Sequence, residues 1–236
     1  MWRECAMNTQ LNPQTAHGWA MQTLIIVILS LPGITWISTT GDIATYWRDD
    51  VPPGQVIYIL SKLTALYAFT VFWMQLMYGL LGADWRRRMG IERGHAFHVR
   101  LGAVVIALIV VHIGLFVLGA SIRTHMFASQ YLTPSFSAGY YRAVITLGIV
   151  AAALVGAAVV FAIVRRLMPR AWRFGHWAVT LAFVLAFVHS LLIGSESRIE
   201  PMTSFYVAAG TVALAVLLGR LWSSRPHASV DLRGPA

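Results

Sequence analysis

The chain has 236 residues, of which 58% are hydrophobic and 11% charged, and its mean hydropathy is +0.66. A soluble domain carries about 25% charged residues, so this composition excludes an ordinary water-soluble globular protein. The net charge of +9 comes from 18 basic residues, all arginine except Lys62, against nine acids. Such a balance suits nucleic acid, anionic lipid or the cytoplasmic loops of a membrane protein.

Six apolar runs follow in chain order, each long enough to cross about 30 Å of hydrocarbon as a helix of roughly 20 residues. They cover 18–37, 56–81, 98–120, 140–164, 176–194 and 205–222. They are continuous rather than alternating at period two, which favours an all-α bundle of six transmembrane helices over a barrel. The first run lacks a basic leader and is longer than a signal core, so it is expected to be retained; Pro32 and Gly33 predict a kink in it. Trp19, Trp36, Trp47, Trp172, Trp177 and Trp222 fall near the expected interfaces, as aromatic belts do. Residues 1–17 form a short N-terminal segment before the 18–222 bundle, and Pro226, Gly234 and Pro235 predict disorder in the tail, 223–236.

The arginines sort by loop. Arg86, Arg87, Arg88 and Arg93 lie between the second and third runs, Arg165, Arg166, Arg170 and Arg173 between the fourth and fifth, and Arg220, Arg225 and Arg233 at the C-terminal end. The other connections hold Arg48 beside Asp42, Asp49 and Asp50, Arg123 alone, and Arg198 between Glu196 and Glu200. The positive-inside rule then places both termini and the two Arg-rich loops in the cytoplasm of a multi-pass protein in the cytoplasmic (inner) membrane. That map uses up the surplus charge and leaves no basic patch for nucleic acid.

Cys5 is the only cysteine, which excludes an intrachain disulfide, an iron–sulfur cluster or a cysteine zinc site. Four of the eight histidines lie in two spans: His98 and His112 in the third, His176 and His189 in the fifth. Ionisable groups at membrane depth are costly, which makes each a functional candidate. Fourteen residues return to within roughly 40° of whole turns, so His98 and His112 share a helix face about 21 Å apart along the axis. His176 and His189 are thirteen apart, which on an ideal helix leaves them roughly 140° apart around the axis. Both spans enter from a cytoplasmic Arg-rich loop, so His98 matches His176 at the inner depth and His112 matches His189 at the outer one. Two facing imidazole pairs are what two stacked six-coordinate b haems require. Zinc wants three or four ligands at one depth, and single membrane histidines also serve as hydrogen-bond partners across helices. Gly102, Ala103, Ala107, Gly114, Ala178, Ala182 and Ala186 leave room for flat macrocycles or for close helix packing.

This arrangement resembles the ferric-reductase-like transmembrane domain, shared by ferric reductases, NADPH oxidases and the membrane subunit of the bacterial methionine sulfoxide reductase system. The resemblance rests on Gly90-Ile91-Glu92-Arg93 leading into His98-Val99-Arg100-Leu101-Gly102, on the step from His98 to His112, and on Trp172 through His176 with the step to His189. It covers roughly 56–222. It implies an inner haem b on His98 and His176, an outer one on His112 and His189, and electron flow from a cytoplasmic flavin to an acceptor beyond the membrane. The large members of the family carry FAD and NADPH domains after the last span, whereas only residues 223–236 follow Trp222 here and no Gly-rich nucleotide loop is present. Electrons are therefore expected from a separate flavin reductase, from the quinone pool, or from FMN or FAD held at the cytoplasmic face. The oxidases place a further histidine one turn beyond the outer ligand; Phe116 stands there, which disfavours superoxide production.

Beside the inner ligands, Arg100 and Arg173 suit bidentate pairing with a haem propionate, or simply anchor the cytoplasmic side. Arg123 and His125 follow the third span and suit outer propionates, an acceptor or a solvated loop. His95 competes with His98 as inner ligand, but its step to His112 turns the pair about 100° off a common face. Phe183 and Phe187 fill space between haems or pack. The leading expectation is a dihaem b-type cytochrome carrying electrons to an outer acceptor. The alternatives are a haem subunit feeding a periplasmic reductase, and a haem-free transporter or channel using intramembrane histidine.

Overall fold

The computed structural model describes residues 13–48, 50–82, 86 and 94–223, with side chains described outside 13–18, 171–173 and 223. Six long helices follow in order: α1 (Pro13–Thr40), α2 (Gln55–Leu80), α3 (Gly94–Thr124), α4 (Tyr140–Ile163), α5 (Pro169–Ile193) and α6 (Met202–Ser223). Short 3-10 turns occupy the connections at Ile43–Trp47, Ser129–Leu132 and Glu196–Arg198, and the described residues contain no strand. All six helices are long and apolar enough to cross a membrane, so the chain is an all-α, multi-pass membrane protein. Several helices outrun their apolar runs because hydropathy marks the stretch that sits in hydrocarbon, whereas backbone bonding continues beyond it. Thus α3 starts at Gly94 rather than at 98, and α5 starts at Pro169, a residue suited to a first helical turn. The helix α1 runs on through Pro32. The Gly90–Arg93 stretch and the tail from 224 lie outside the described residues.

Two antiparallel hairpins, α2–α3 and α4–α5, pack along their lengths; α1 and α6 lie against α2, and α3 and α5 are not packed against each other along theirs. The mouth of the first hairpin closes on glycine. A Cβ on Gly54, whose φ is +76°, would stand 2.5 Å from the Gly119 carbonyl oxygen, and one on Gly119 would stand 3.1 Å from that of Gly54. Only residues without a side chain allow this backbone approach.

The centre of the bundle is aromatic. Phe69 of α2 stacks on Tyr206 of α6 at 4.2 Å between centroids and on Phe183 of α5 at 5.6 Å, with Phe72, Phe187 and Phe205 around them. Phe183 and Phe187 therefore pack the α2–α5–α6 junction. Trp36 Nε1 donates to the Ile59 carbonyl (2.9 Å) and Trp73 Nε1 to that of Ala209 (3.0 Å), tying α1 and α6 to α2. Trp36 is thus buried, unlike Trp19, Trp47, Trp177 and Trp222, which are exposed as belt residues are.

The antiparallel connectivity gives two faces. One carries the connections 81–93 and 164–168 and the end of α6; it is the arginine-rich face. The opposite face carries 41–54, 125–139 and 194–201, and all four described acids, Asp42, Asp50, Glu196 and Glu200, lie there.

Candidate functional site

The register of the α2–α3 hairpin places Gln75 opposite His98 and, fourteen residues away on both helices, Ser61 opposite His112. One helix therefore backs both α3 histidines. Near the arginine-rich face, Gln75 Nε2 donates to the His98 carbonyl oxygen (3.0 Å) and lies 3.3 Å from His98 Nε2. Tyr78 stacks on the same imidazole with centroids 6.0 Å apart, and Tyr78 Oη donates to the Gly94 carbonyl at 3.1 Å. Gly79 lies at the ring edge, where a Cβ would make an ordinary contact of 3.6 Å with His98 Cε1.

From the other side comes His176 of α5. The two ring centroids are 6.1 Å apart, with the planes inclined by 42°. A metal–imidazole bond is about 2.0–2.1 Å, so two imidazoles holding one metal between them would have ring centroids about 6 Å apart. The His98–His176 separation fits that requirement. His95 points elsewhere, its Nε2 accepting from Arg165 Nη1 at 3.4 Å, so the structure brings His98 rather than His95 to His176.

At the other depth each histidine is fixed by a backbone carbonyl. His112 Nδ1 lies 2.9 Å from the Ser61 oxygen on α2, and His189 Nδ1 lies 2.8 Å from the Val144 oxygen on α4. A carbonyl can only accept, so both Nδ1 atoms carry a proton; in the neutral ring Nε2 then keeps the lone pair with which imidazole binds a metal. The Ser61 oxygen also accepts from Thr64 Oγ1 at 2.8 Å. His189 rests on Gly148, where a Cβ would meet its Cε1 at 2.9 Å and its Nδ1 at 3.0 Å. This resolves the thirteen-residue step on α5: His176 faces α3, whereas His189 leans on α4. His112 and His189 lie within electrostatic range of each other but not in ring contact among the described residues.

The charged neighbours divide by face. Arg100 is exposed on α3 two residues beyond His98, and the Arg173 side chain lies outside the described residues. Arg86 donates through Nη1 to the Tyr78 and Leu81 carbonyls (3.1 and 2.7 Å) and sits over the Tyr78 ring at 5.1 Å. On the opposite face, Lys62 Nζ pairs with Glu196 Oε1 at 2.8 Å and donates to Ser195 Oγ at 2.8 Å, joining α2 to the α5–α6 connection. Arg123 donates to Gln55 Oε1 and lies over Tyr58 at 5.6 Å. His125 is exposed, with φ of 54°. An apolar groove of about 510 Å³ along Val110, Ile113, Val117 and Leu118 of α3 and Phe127 and Leu132 of the α3–α4 connection lies on the side of α3 away from His112. Sequence reasoning missed Gln75, Ser61, Val144 and Gly148; the pairing partners at Ser61 and Val144 are main-chain atoms, for which no residue type is a signal.

Fold and site together define a polytopic membrane protein whose third and fifth helices bring histidines to two depths. The family model described as "Ferric reductase like transmembrane component" matches residues 64–187, spanning His98, His112 and His176 and ending just before His189. The chain belongs to that family and is a membrane oxidoreductase component. No curated protein and no solved structure matches it.

Proposed function

We propose that this chain is a dihaem b-type cytochrome of the cytoplasmic membrane, carrying electrons from the arginine-rich, cytoplasmic face to an acceptor on the opposite, outer side. The observation that carries the reading is the 6.1 Å separation of the His98 and His176 rings, delivered by two helices that otherwise stand apart. His98 and His176 would hold the inner haem, and His112 and His189 the outer one. When bound, the haems would supply one-electron redox chemistry, held by these four imidazoles.

The chain's own residues set the terms for that chemistry. Ser61 and Val144 fix the tautomer of the outer imidazoles and raise their basicity through their carbonyls. Tyr78 stacks on the His98 ring from α2, while Gln75 donates to the His98 carbonyl and reaches the ring Nε2. The aromatic centre on Phe69 excludes water between the two levels. Arg100 and Arg173 would pair with inner propionates, as guanidinium suits a carboxylate. The donor is a cytoplasmic flavoprotein or quinol, and the acceptor is ferric iron or a periplasmic reductase.

His98→Ala and His176→Ala test the reading. Each is expected to lose one of two haems, measured as pyridine haemochrome per chain, and to keep the other with its α-band. Full haem content in both variants would sink the ligand assignment.

A further inference from the structure

On the face opposite the arginine-rich loops, two guanidinium groups converge above the His112–His189 level. Phe116, one helical turn beyond His112, packs against Tyr58 of α2 (6.2 Å between centroids) and Tyr131 of the α3–α4 connection (5.2 Å). Arg123 lies over the Tyr58 ring at 5.6 Å, and Arg142 lies over the Tyr131 ring at 5.4 Å. Tyr141 is within electrostatic reach of Tyr58, Tyr131 and Arg123, which places the start of α4 in the same cluster. Arg142 stands two residues before Val144, whose carbonyl accepts from His189 Nδ1.

The charge in this cluster is not balanced. Arg142 Nη2 donates to the Thr133 carbonyl at 2.9 Å, but its Nη1 is buried with no hydrogen-bond partner among the described residues. The described acids are committed elsewhere: Asp50 to Arg48, Glu196 to Lys62, Asp42 to the Ala44 N–H and Glu200 to the Ser204 N–H. A buried cationic donor left unpaired is costly, and the cost falls when an anion with two oxygens fills the planar fork of the guanidinium.

We propose that Arg142, with Arg123 beside it, is a carboxylate-binding rim over the outer histidine level. The carboxylate comes either from a propionate of a haem held by His112 and His189, in which case the inference rests on the cytochrome reading, or from an electron acceptor that is itself a carboxylate complex of ferric iron. Both present the same chemistry to Arg142. Lys62 is unsuited to this role because Glu196 neutralises it.

Wild type, Arg142→Gln, Arg142→Lys and Arg123→Gln, each full-length in lipid nanodiscs, are compared by three measurements. These are haem per chain with midpoint potentials, reoxidation of the reduced protein by ferric citrate against the cationic oxidant hexaammineruthenium(III), and thermal protection by citrate alone, which needs no haem. A propionate source predicts that Arg142→Gln loses one haem or lowers the potential of one, because an arginine that offsets propionate charge favours reduced iron. An acceptor source predicts unchanged haem, a loss of citrate protection, and ferric-citrate reoxidation slowed about tenfold, the scale of one charge-assisted hydrogen bond, with the ruthenium rate unchanged. Partial rescue by Arg142→Lys separates charge from packing. If wild type holds no haem, the cytochrome reading fails and citrate protection alone decides the rim: protection lost in Arg142→Gln upholds it, and protection absent or unchanged overturns it. Three unchanged measurements in both glutamine variants overturn it as well.

Discussion

Replacing Gly148 by alanine tests whether the outer histidine level depends on helix α4 as closely as the structure requires. The added methyl would stand 2.9 Å from His189 Cε1, 3.0 Å from Nδ1 and 3.1 Å from Nε2. Ordinary carbon contacts begin near 3.4 Å, so the imidazole must withdraw by about 0.5 Å, which uses up the positional tolerance of a preorganised site. Overpacking of this kind costs about 1–3 kcal/mol, and loosening the His189 bond to the Val144 carbonyl, now 2.8 Å, adds about 1 kcal/mol. A total of about 2–4 kcal/mol corresponds to outer haem binding weakened roughly 30- to 1000-fold, at 1.4 kcal/mol per decade. Gly156→Ala, on the same helix, is the control: nothing lies within 4 Å of a Cβ there, and alanine is favoured over glycine in a helix by about 1 kcal/mol. The assay is haem per purified chain with a potentiometric titration that resolves the two haems. Gly148→Ala is expected to lose the outer haem and keep the inner one, while Gly156→Ala keeps both. Two haems with unaltered potentials in Gly148→Ala would refute the placement of His189 against α4.

Three other variants separate the site from the scaffold. Phe69→Ala removes the ring that joins α2, α5 and α6 and is expected to cost about 3–5 kcal/mol of stability, read by thermal unfolding; no loss of stability would contradict the aromatic core. Glu196→Gln leaves Lys62 unpaired where the carboxylate side chain is only 9% exposed, with an expected loss of about 3 kcal/mol that Lys62→Met in the same chain restores in part. No rescue by the double variant would show that the two residues act separately. Gln75→Leu removes an amide that donates toward His98 Nε2, the atom iron would use. Haem loss from the inner level is therefore expected to slow about fivefold, the worth of one competing neutral hydrogen bond. Faster loss would mean that Gln75 supports the ligand.

The residues disclosed the fold and only part of the site. Continuous apolar runs sufficed for six helices because lipid leaves the backbone no alternative to internal bonding. Their true ends were hidden, since Gly94 and Pro169 begin helices outside the hydrocarbon stretch that hydropathy detects. The fourteen-residue step on α3 put His98 and His112 on one helix face, but only the structure shows α2 meeting that face through Gln75 and Ser61. The thirteen-residue step on α5 was opaque, because ideal helix geometry cannot say that His189 turns to α4 while His176 turns to α3. His95 and His98 became distinguishable only once Arg165 was found beside the former. Main-chain partners such as the Ser61 and Val144 oxygens carry no sequence signature at all. Glycine at 148 reads equally well as generic small-residue packing and as the seat of an imidazole, and only the position of His189 decides.

The haem content of the wild-type protein tests the account most directly. Pyridine haemochrome analysis of purified, folded protein should give two b haems per chain and a reduced b-type α-band. A folded, colourless protein whose six helices persist would contradict the account and return the four histidines to hydrogen-bonding or transport roles.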